Sequence, residues 1–267
     1  MKAEELKRCA EDFVYFCNNY LLLDKTTQFQ LYEYQSRIVS EWESHRFCIG
    51  SKFRGGGFTV LGLAYCLWRC LFFTNEQVIF IVYGKYELDR CGNLLRFMIN
   101  QLPIWLSGDV KKMVNIDEKE FSDTNSQFLI HSSSQLGYKA QNYSLVFIDE
   151  AARVVDLKNL VPYMTANSVC RGKMIIQSTI LNYDDYFMDK LIKARIGLID
   201  WHEVCCDYRE CPVYDADWER EQRSSLGAEF AYYYEQIAKE REEEIPNNVP
   251  QKVVKKSIWK KLDLETT

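Results

Sequence analysis

Apolar positions change rhythm several times along this chain. In residues 3–22, Leu6, Cys9, Phe13, Phe16 and Cys17 recur near helical spacing, which predicts one amphipathic helix. Residues 31–44 repeat the pattern, with Tyr34, Ile38 and Trp42 on one side. The rhythm then turns to short apolar runs: 46–51 (RFCIGS), 77–83 (QVIFIVY), 127–132 (QFLIHS), 144–149 (SLVFID) and 173–179 (KMIIQST). Runs of this length predict strands buried on both faces. Helical stretches at 58–73, 86–101, 157–166 and 184–195 fall between them. Strands alternating with helices predict an α/β fold, a mainly parallel sheet covered on both faces. Residues 107–126 are polar and predict a surface excursion with a short hairpin. Residues 201–206 predict one more strand, and 215–244 a helical, mostly acidic segment. A Pro/Asn break (IPNNVPQ) and a basic tail (KKSIWKKL) follow.

These changes divide the chain into an N-terminal helical segment (1–45), an α/β core (46–200), a C-terminal helical subdomain (201–245) and a tail or linker (246–267). A length of 267 residues suits one large core with small appendages. The net charge of −5 argues against a uniformly DNA-binding surface, so any such contact is local or shared among subunits. Cysteine is abundant, but Cys48, Cys66, Cys70 and Cys170 lie inside apolar runs, where the thiol acts as a small hydrophobe. This usage fits a reducing compartment. The N-terminus, MKAEELKRCAEDF, is charged throughout and unlike a signal peptide. No uncharged apolar run reaches the roughly 18 residues of a membrane span.

The first candidate site joins two predicted elements. The strand RFCIGS runs into SKFRGGGFT (51–59) and then into a helix. A glycine-rich turn between a buried strand and a helix N-terminus gathers backbone N–H groups, and the helix dipole favours an anion there. Gly55, Gly56 and Gly57 let the backbone approach phosphate oxygens closely, and Thr59 offers a hydroxyl to Mg²⁺. The usual phosphate loop reads G-x-x-x-x-G-K-[ST]. Here Gly50 opens the loop, Phe58 stands in the lysine slot, and the cations lie earlier, at Lys52 and Arg54. A lysine at the leading edge still reaches the phosphates on its long stem. A glycine-rich loop without nucleotide is the competing reading.

Further sites change the balance. LVFIDEAA (145–152) carries adjacent carboxylates at the end of an apolar strand, where a doubly wound sheet places its active site. Asp149 suits a Mg²⁺ shell and Glu150 a general base. Two solvated acids capping the next helix are the alternative. Gln177, Ser178 and Thr179 end the strand KMIIQST, where polar groups sense the γ-phosphate or merely cap the strand. Gln35 lies upstream in YEYQSRIV, beside Tyr32 and Tyr34. Its amide suits an adenine edge, or it belongs to a plain amphipathic helix. His202, Cys205, Cys206 and Cys211 lack paired zinc-knuckle spacing. Lys111, Lys112 and the tail lysines Lys255, Lys256, Lys260 and Lys261 read as solvated charge.

Taken in order, Tyr-Gln, the glycine-rich loop, VIFIVYG, IDEAA and QST, the chain resembles the large terminase subunit of tailed bacteriophages and its herpesvirus relatives. DFVYFCNNYLLLD and FQLYEYQSRIV resemble the family's approach to its adenine-recognising glutamine. SSSQLGYKAQNYSLVFIDEAARV is similar to its run into the Walker B strand, and DWEREQRSSLGAEFAYYY to the helix-rich end of its ATPase part. The likeness covers roughly residues 11–240.

The resemblance implies a three-layer P-loop ATPase of RecA/ASCE type that uses ATP and Mg²⁺ to drive double-stranded DNA into a procapsid. It implies a homo-oligomeric ring on the portal protein, a small terminase subunit as partner, and action in the host cytoplasm, with no membrane. Carried over by position, Lys52 or Arg54 contacts phosphates within a cradle of Ser51, Gly55, Gly56, Gly57 and Phe58. Thr59 and Asp149 hold Mg²⁺, Glu150 activates water, Gln35 meets adenine, and Gln177, Ser178 and Thr179 couple hydrolysis to movement. Arg54 is also a candidate arginine finger in cis. Phe58 departs from the family's commonest P-loop lysine, which some members place at the start of the loop, so Lys52 is a fair substitute. Lys139-Ala140 stands where Arg-Gly is common, and only about 25 residues follow the last helix, too few for the RNase H-like nuclease that usually continues the family's chain. Two alternatives stay open. A helicase-like DNA-dependent ATPase needs a second RecA-like domain, for which no length remains. A non-catalytic assembly subunit with a degenerate P-loop is favoured by Phe58 and opposed by the Asp149-Glu150 pair.

Overall fold

The computed structural model describes residues 2–108, 110–112, 118–135, 142–166, 170–181 and 185–236. In chain order its helices are α1 (Lys2–Glu11), α2 (Phe13–Tyr20), α3 (Glu33–Ser44), α4 (Phe58–Phe72), α5 (Lys85–Gln101), α6 (Ile104–Ser107), α7 (Leu157–Ala166), α8 (Tyr186–Arg195), α9 (Ala216–Leu226) and α10 (Glu229–Tyr233). Its strands are β1 (Phe47–Ser51), β2 (Gln77–Val82), β3 (Val110–Lys112), β4 (Glu118–Phe121), β5 (Ser126–Ser132), β6 (Tyr143–Asp149), β7 (Cys170–Ser178) and β8 (His202–Glu203). Lys139-Ala140 and the basic tail lie outside the described residues.

The strands form one sheet in the order β3-β4-β5-β2-β6-β7-β1-β8. Every neighbouring pair from β5 to β8 is parallel. The hairpin foreseen in the polar excursion is β3-β4, and β4 adds it antiparallel to β5. The apolar strands are buried on both faces because successive side chains point to opposite sides. Phe80 and Phe147 pack on one face with α2, α3, α4 and α5. Ile79, Ile81, Val146 and Ile148 pack on the other with α7 and α8. The result is the predicted three-layer α/β architecture. Helix α4 lies so close to the sheet that a Cβ at Gly62 would come 2.5 Å from the Phe147 ring.

Register matters for the site. β7 lies between β1 and β6, pairing Ser51 with Ser178 and Asp149 with Gln177. The carboxyl ends of these strands therefore finish at one level.

Two expected helices are interrupted. The N-terminal stretch breaks at Asp12, whose carboxylate accepts from the Tyr15 N–H at 2.8 Å and starts α2 anew. The C-terminal stretch breaks at Gly227, with φ +54 between α9 and α10. The strand expected at 201–206 shortens to β8. Among the described residues, no helix is long and apolar enough to cross a membrane.

Candidate active site

The glycine-rich loop leaves the end of β1, and the Lys52 N–H donates to the Ser178 carbonyl at 2.9 Å, holding the loop's start against β7. Gly55 and Gly57 take left-handed φ of +80° and +73°, which a Cβ disfavours. Gly57 is the N-cap of α4, and no side chain caps that end. The first-turn N–H groups of a helix lack intrahelical partners, so this end is suited to an anion. Thr59 sits in that first turn.

Strand β6 delivers Asp149 to the same place and the backbone then turns sharply. Glu150 has φ 50° and ψ 45°, left-handed for a residue that is not glycine. Such strain costs of order 1–3 kcal/mol and persists where the surroundings over-determine it. Here they do. The Lys52 Nζ lies 2.5 Å from Asp149 Oδ1 and 3.1 Å from Glu150 Oε1. The Thr179 hydroxyl donates to Glu150 Oε2 at 3.0 Å, and the Arg153 guanidinium stands 3.8 Å from the same oxygen. The Ala152 N–H donates to Ser178 Oγ at 3.1 Å, fixing the turn beyond.

Asp149 accepts from three side chains, Lys52 among them. The Thr59 hydroxyl donates to its Oδ2 at 2.6 Å, and the Gln177 amide donates to its Oδ1 at 2.9 Å. Gln177 also donates to the Phe58 carbonyl at 3.2 Å, tying β7 to both the acid and α4. Burial pushes the Asp149 carboxyl up, but the Lys52 charge and the donors from Lys52, Thr59 and Gln177 outweigh it and hold the group below the usual carboxylate range. Burial likewise pushes Lys52 down, and the charges of Asp149 and Glu150 overcome it, leaving the ammonium above its ordinary value.

Lys52, Thr59, Asp149, Glu150 and Thr179 border a cavity of about 480 Å³, within the range of small-molecule sites. Its lining includes the loop from Lys52 to Thr59 with Asp149, Glu150 and Thr179. Tyr83, Tyr86, Glu87 and Arg90 line it as well, with Arg153 and Tyr233. Sequence reading missed Tyr83, Tyr86, Glu87 and Arg90. A polar first turn after an apolar strand (YGKYELDR) was their signal, readable only once β2 is known to lie beside β6.

Lys52, Thr59, Asp149, Glu150, Gln177 and Thr179 thus converge. Others are placed differently. Arg54 also lines the cavity but from an exposed position, its guanidinium 4.6 Å from the Tyr233 ring centroid. Its N–H donates to the Tyr233 carbonyl at 3.0 Å, and its carbonyl accepts from the Tyr214 hydroxyl at 3.2 Å. Ser51 is buried beneath the loop and does not border the cavity; its hydroxyl has no partner among the described residues. Phe58 packs edge-on against Phe53. Gln35, expected at an adenine edge, lies under the loop at 3% exposure, with both ends of its amide engaged by backbone. His202 stacks on His45, whereas the Cys205 thiol donates to Glu203 and the Cys206 thiol to the Asp207 carbonyl, so that cluster does not share a centre.

No family model matches the sequence, and no curated protein matches it. Solved structures do. The large terminase of bacteriophage HK97 superposes with a TM-score of 0.70 at 15% identity, over 85% of this chain and 55% of that one. The large terminase of a thermophilic bacteriophage in complex with ATP-γ-S gives 0.60 at 15% identity, over 77% and 52%. The large terminase ATPase domain of Thermus phage P74-26 gives 0.61 at 14% identity, over 78% and 94%. This chain spans about half the length of the first two and nearly all of the third. It has the fold of the ATPase domain of bacteriophage large terminases.

Proposed function

We propose that this chain is an ATP-hydrolysing motor that drives double-stranded DNA into a viral procapsid. The observation that carries the reading is the meeting of Lys52, Thr59, Asp149 and Glu150 at the carboxyl edge of the sheet, beside an uncapped helix N-terminus. The loop N–H groups and Lys52 bind the phosphates. Lys52 takes this role over Arg54, because Lys52 is buried and ion-paired with both carboxylates, whereas Arg54 is exposed and contacts no acid of the site. Thr59 Oγ1 and Asp149 Oδ2 are hard oxygen donors 2.6 Å apart, a pair that fits Mg²⁺. Thr59 and Asp149 would hold the metal, which would supply positive charge to offset charge developing on the phosphate oxygens. Glu150 accepts the proton of the attacking water. Its contacts to Thr179 and Arg153 aim the carboxylate, and Gln177 and Thr179 carry a change at the acids into β7.

The motor works as a homo-oligomeric ring on the portal protein in the host cytoplasm, with a small terminase subunit as partner. A ring completes each site with a neighbour's basic residue, so the isolated chain hydrolyses ATP slowly. The test is the rate per subunit against protein concentration, alone and with portal-bearing procapsids and linear DNA. The rate is expected to rise in both series. A high rate that stays flat from dilute monomer upward refutes the motor reading.

A further inference from the structure

The carbonyl of Gly56 accepts two side-chain hydrogen bonds from consecutive residues. The Tyr34 hydroxyl donates at 2.8 Å and the Gln35 amide at 3.1 Å. Both donors stand in the first turn of α3 and are buried. The other end of the Gln35 amide accepts from the Tyr32 N–H at 3.1 Å. A backbone N–H can only donate and a carbonyl can only accept, so the amide has one orientation that satisfies both.

A trans peptide is planar, with its C=O and N–H pointing to opposite sides. Drawing the Gly56 carbonyl toward α3 therefore turns the Gly57 N–H the other way. Gly55, Gly56 and Gly57 border the cavity, and Tyr34 and Gln35 do not. The side opposite α3 is the cavity. This peptide lies in the stretch from Gly55 to Gly57, whose two ends are left-handed; glycine rotates there at little cost and does not by itself keep the N–H facing the phosphates. The approach is also tight, since a Cβ on Gly57 would come 2.9 Å from Gln35 Nε2.

We propose that Tyr34 and Gln35 are positioning residues that clamp the Gly56–Gly57 peptide with its N–H aimed at the nucleotide's phosphates, and that Gln35 does not read the base. The inference rests on the nucleotide reading of the cavity. A clamp and a base reader differ in what they recognise. The clamp acts on any polyphosphate, whereas a base reader acts only on ligands that carry adenine.

The test measures binding of ATP, GTP and inorganic tripolyphosphate to wild type, Tyr34→Phe and Gln35→Leu, well below each protein's melting temperature. Tyr34→Phe keeps the ring and removes one donor, so it preserves the fold if Gln35→Leu does not. Each variant is expected to weaken all three ligands by one common factor, about five- to ten-fold for one lost hydrogen bond, leaving the ATP/GTP ratio unchanged. The Gly57 amide proton resonance is the positional readout. Tripolyphosphate moves it downfield in wild type and less in Tyr34→Phe, a difference that general loss of stability does not produce. If Gln35→Leu lowers ATP affinity, leaves tripolyphosphate untouched and collapses the ATP/GTP ratio, Gln35 reads the base and the clamp is wrong. Variants that bind all three ligands like wild type refute the clamp and leave the nucleotide reading intact. A wild type that binds none of them removes that reading and the clamp with it.

Discussion

Replacing Lys52 with alanine probes the centre of the site in a way independent of turnover. Lys52 and Asp149 have side chains 5% exposed, 2.5 Å apart, and Glu150 is 3.1 Å from the same ammonium. Removing one partner of a buried pair leaves an uncompensated charge, which costs about 3–5 kcal/mol. Against a domain stability of about 5–15 kcal/mol, that loss is large but survivable. Its pH dependence follows from the signs. In wild type the Asp149 carboxyl is held low, so its stabilising contribution is present above the ordinary carboxylate value and lost as pH falls through its folded value. Without Lys52, burial dominates and raises Asp149, so the variant recovers by taking up a proton as pH falls. The gap between the two proteins should be widest near pH 7.5 and narrow toward pH 5. Divalent cation should narrow it too, because Mn²⁺ replaces the missing ammonium beside Asp149 and Thr59. Ligand at a hundred times its dissociation constant contributes about 2.7 kcal/mol. Urea unfolding at both pH values, with and without Mn²⁺, reads all of this. A loss under about 1 kcal/mol, equal at both pH values and unmoved by Mn²⁺, refutes the counter-ion role of Lys52.

Other expectations concern single contacts. Gly62→Leu forces a side chain into the Phe147 ring and should destabilise by about 1–3 kcal/mol, read as a lower urea midpoint; an unchanged midpoint contradicts the close packing of α4 on β6. Gln177→Leu removes the donor shared by Asp149 and the Phe58 carbonyl. It should lower kcat more than it raises KM for ATP, and a pure KM effect argues against it as a positioning residue. Thr59→Ala removes the hydroxyl beside Asp149 and should weaken Mn²⁺ binding in the presence of a non-hydrolysable ATP analogue by about ten-fold, as judged by electron paramagnetic resonance. Equal Mn²⁺ affinity in the two proteins places the metal elsewhere.

Much of the fold was legible because burial on both sheet faces leaves continuous apolar strands, and each strand end then carries a polar signature. IDEAA and QST fall at strand ends for that reason, and β7 beside β6 brings them into register. Local competition hid the rest. Asp12 interrupts a helical pattern without disturbing its apolar spacing, because a capping carboxylate also fits on the outer face of a longer helix. The antiparallel addition of β4 to β5 depends on a hairpin whose sequence is simply polar. Within the site, Lys52 and Arg54 look equivalent as residue types. They separate by contact: one meets acids from β6 and its turn, and the other lies over an aromatic ring of α10. Gln35 has the chemistry of a base reader, and the Gly56 carbonyl and the Tyr32 N–H, which no sequence pattern announces, each engage one end of its amide. Arg90 and Tyr86 joined the cavity only through the pairing of β2 with β6.

Lys52, Thr59, Asp149 and Glu150 make up the proposed ATP-hydrolysing site. Phosphate release from Mg·ATP by wild type and Glu150→Gln, with nucleotide affinity measured on the same preparations, tests it most directly. Both proteins are expected to bind ATP alike, wild type to release phosphate, and the variant to be slower by about a hundred-fold or more. Equal rates in the two proteins, or ATP bound by wild type with no phosphate released in the presence of procapsids and DNA, would contradict it.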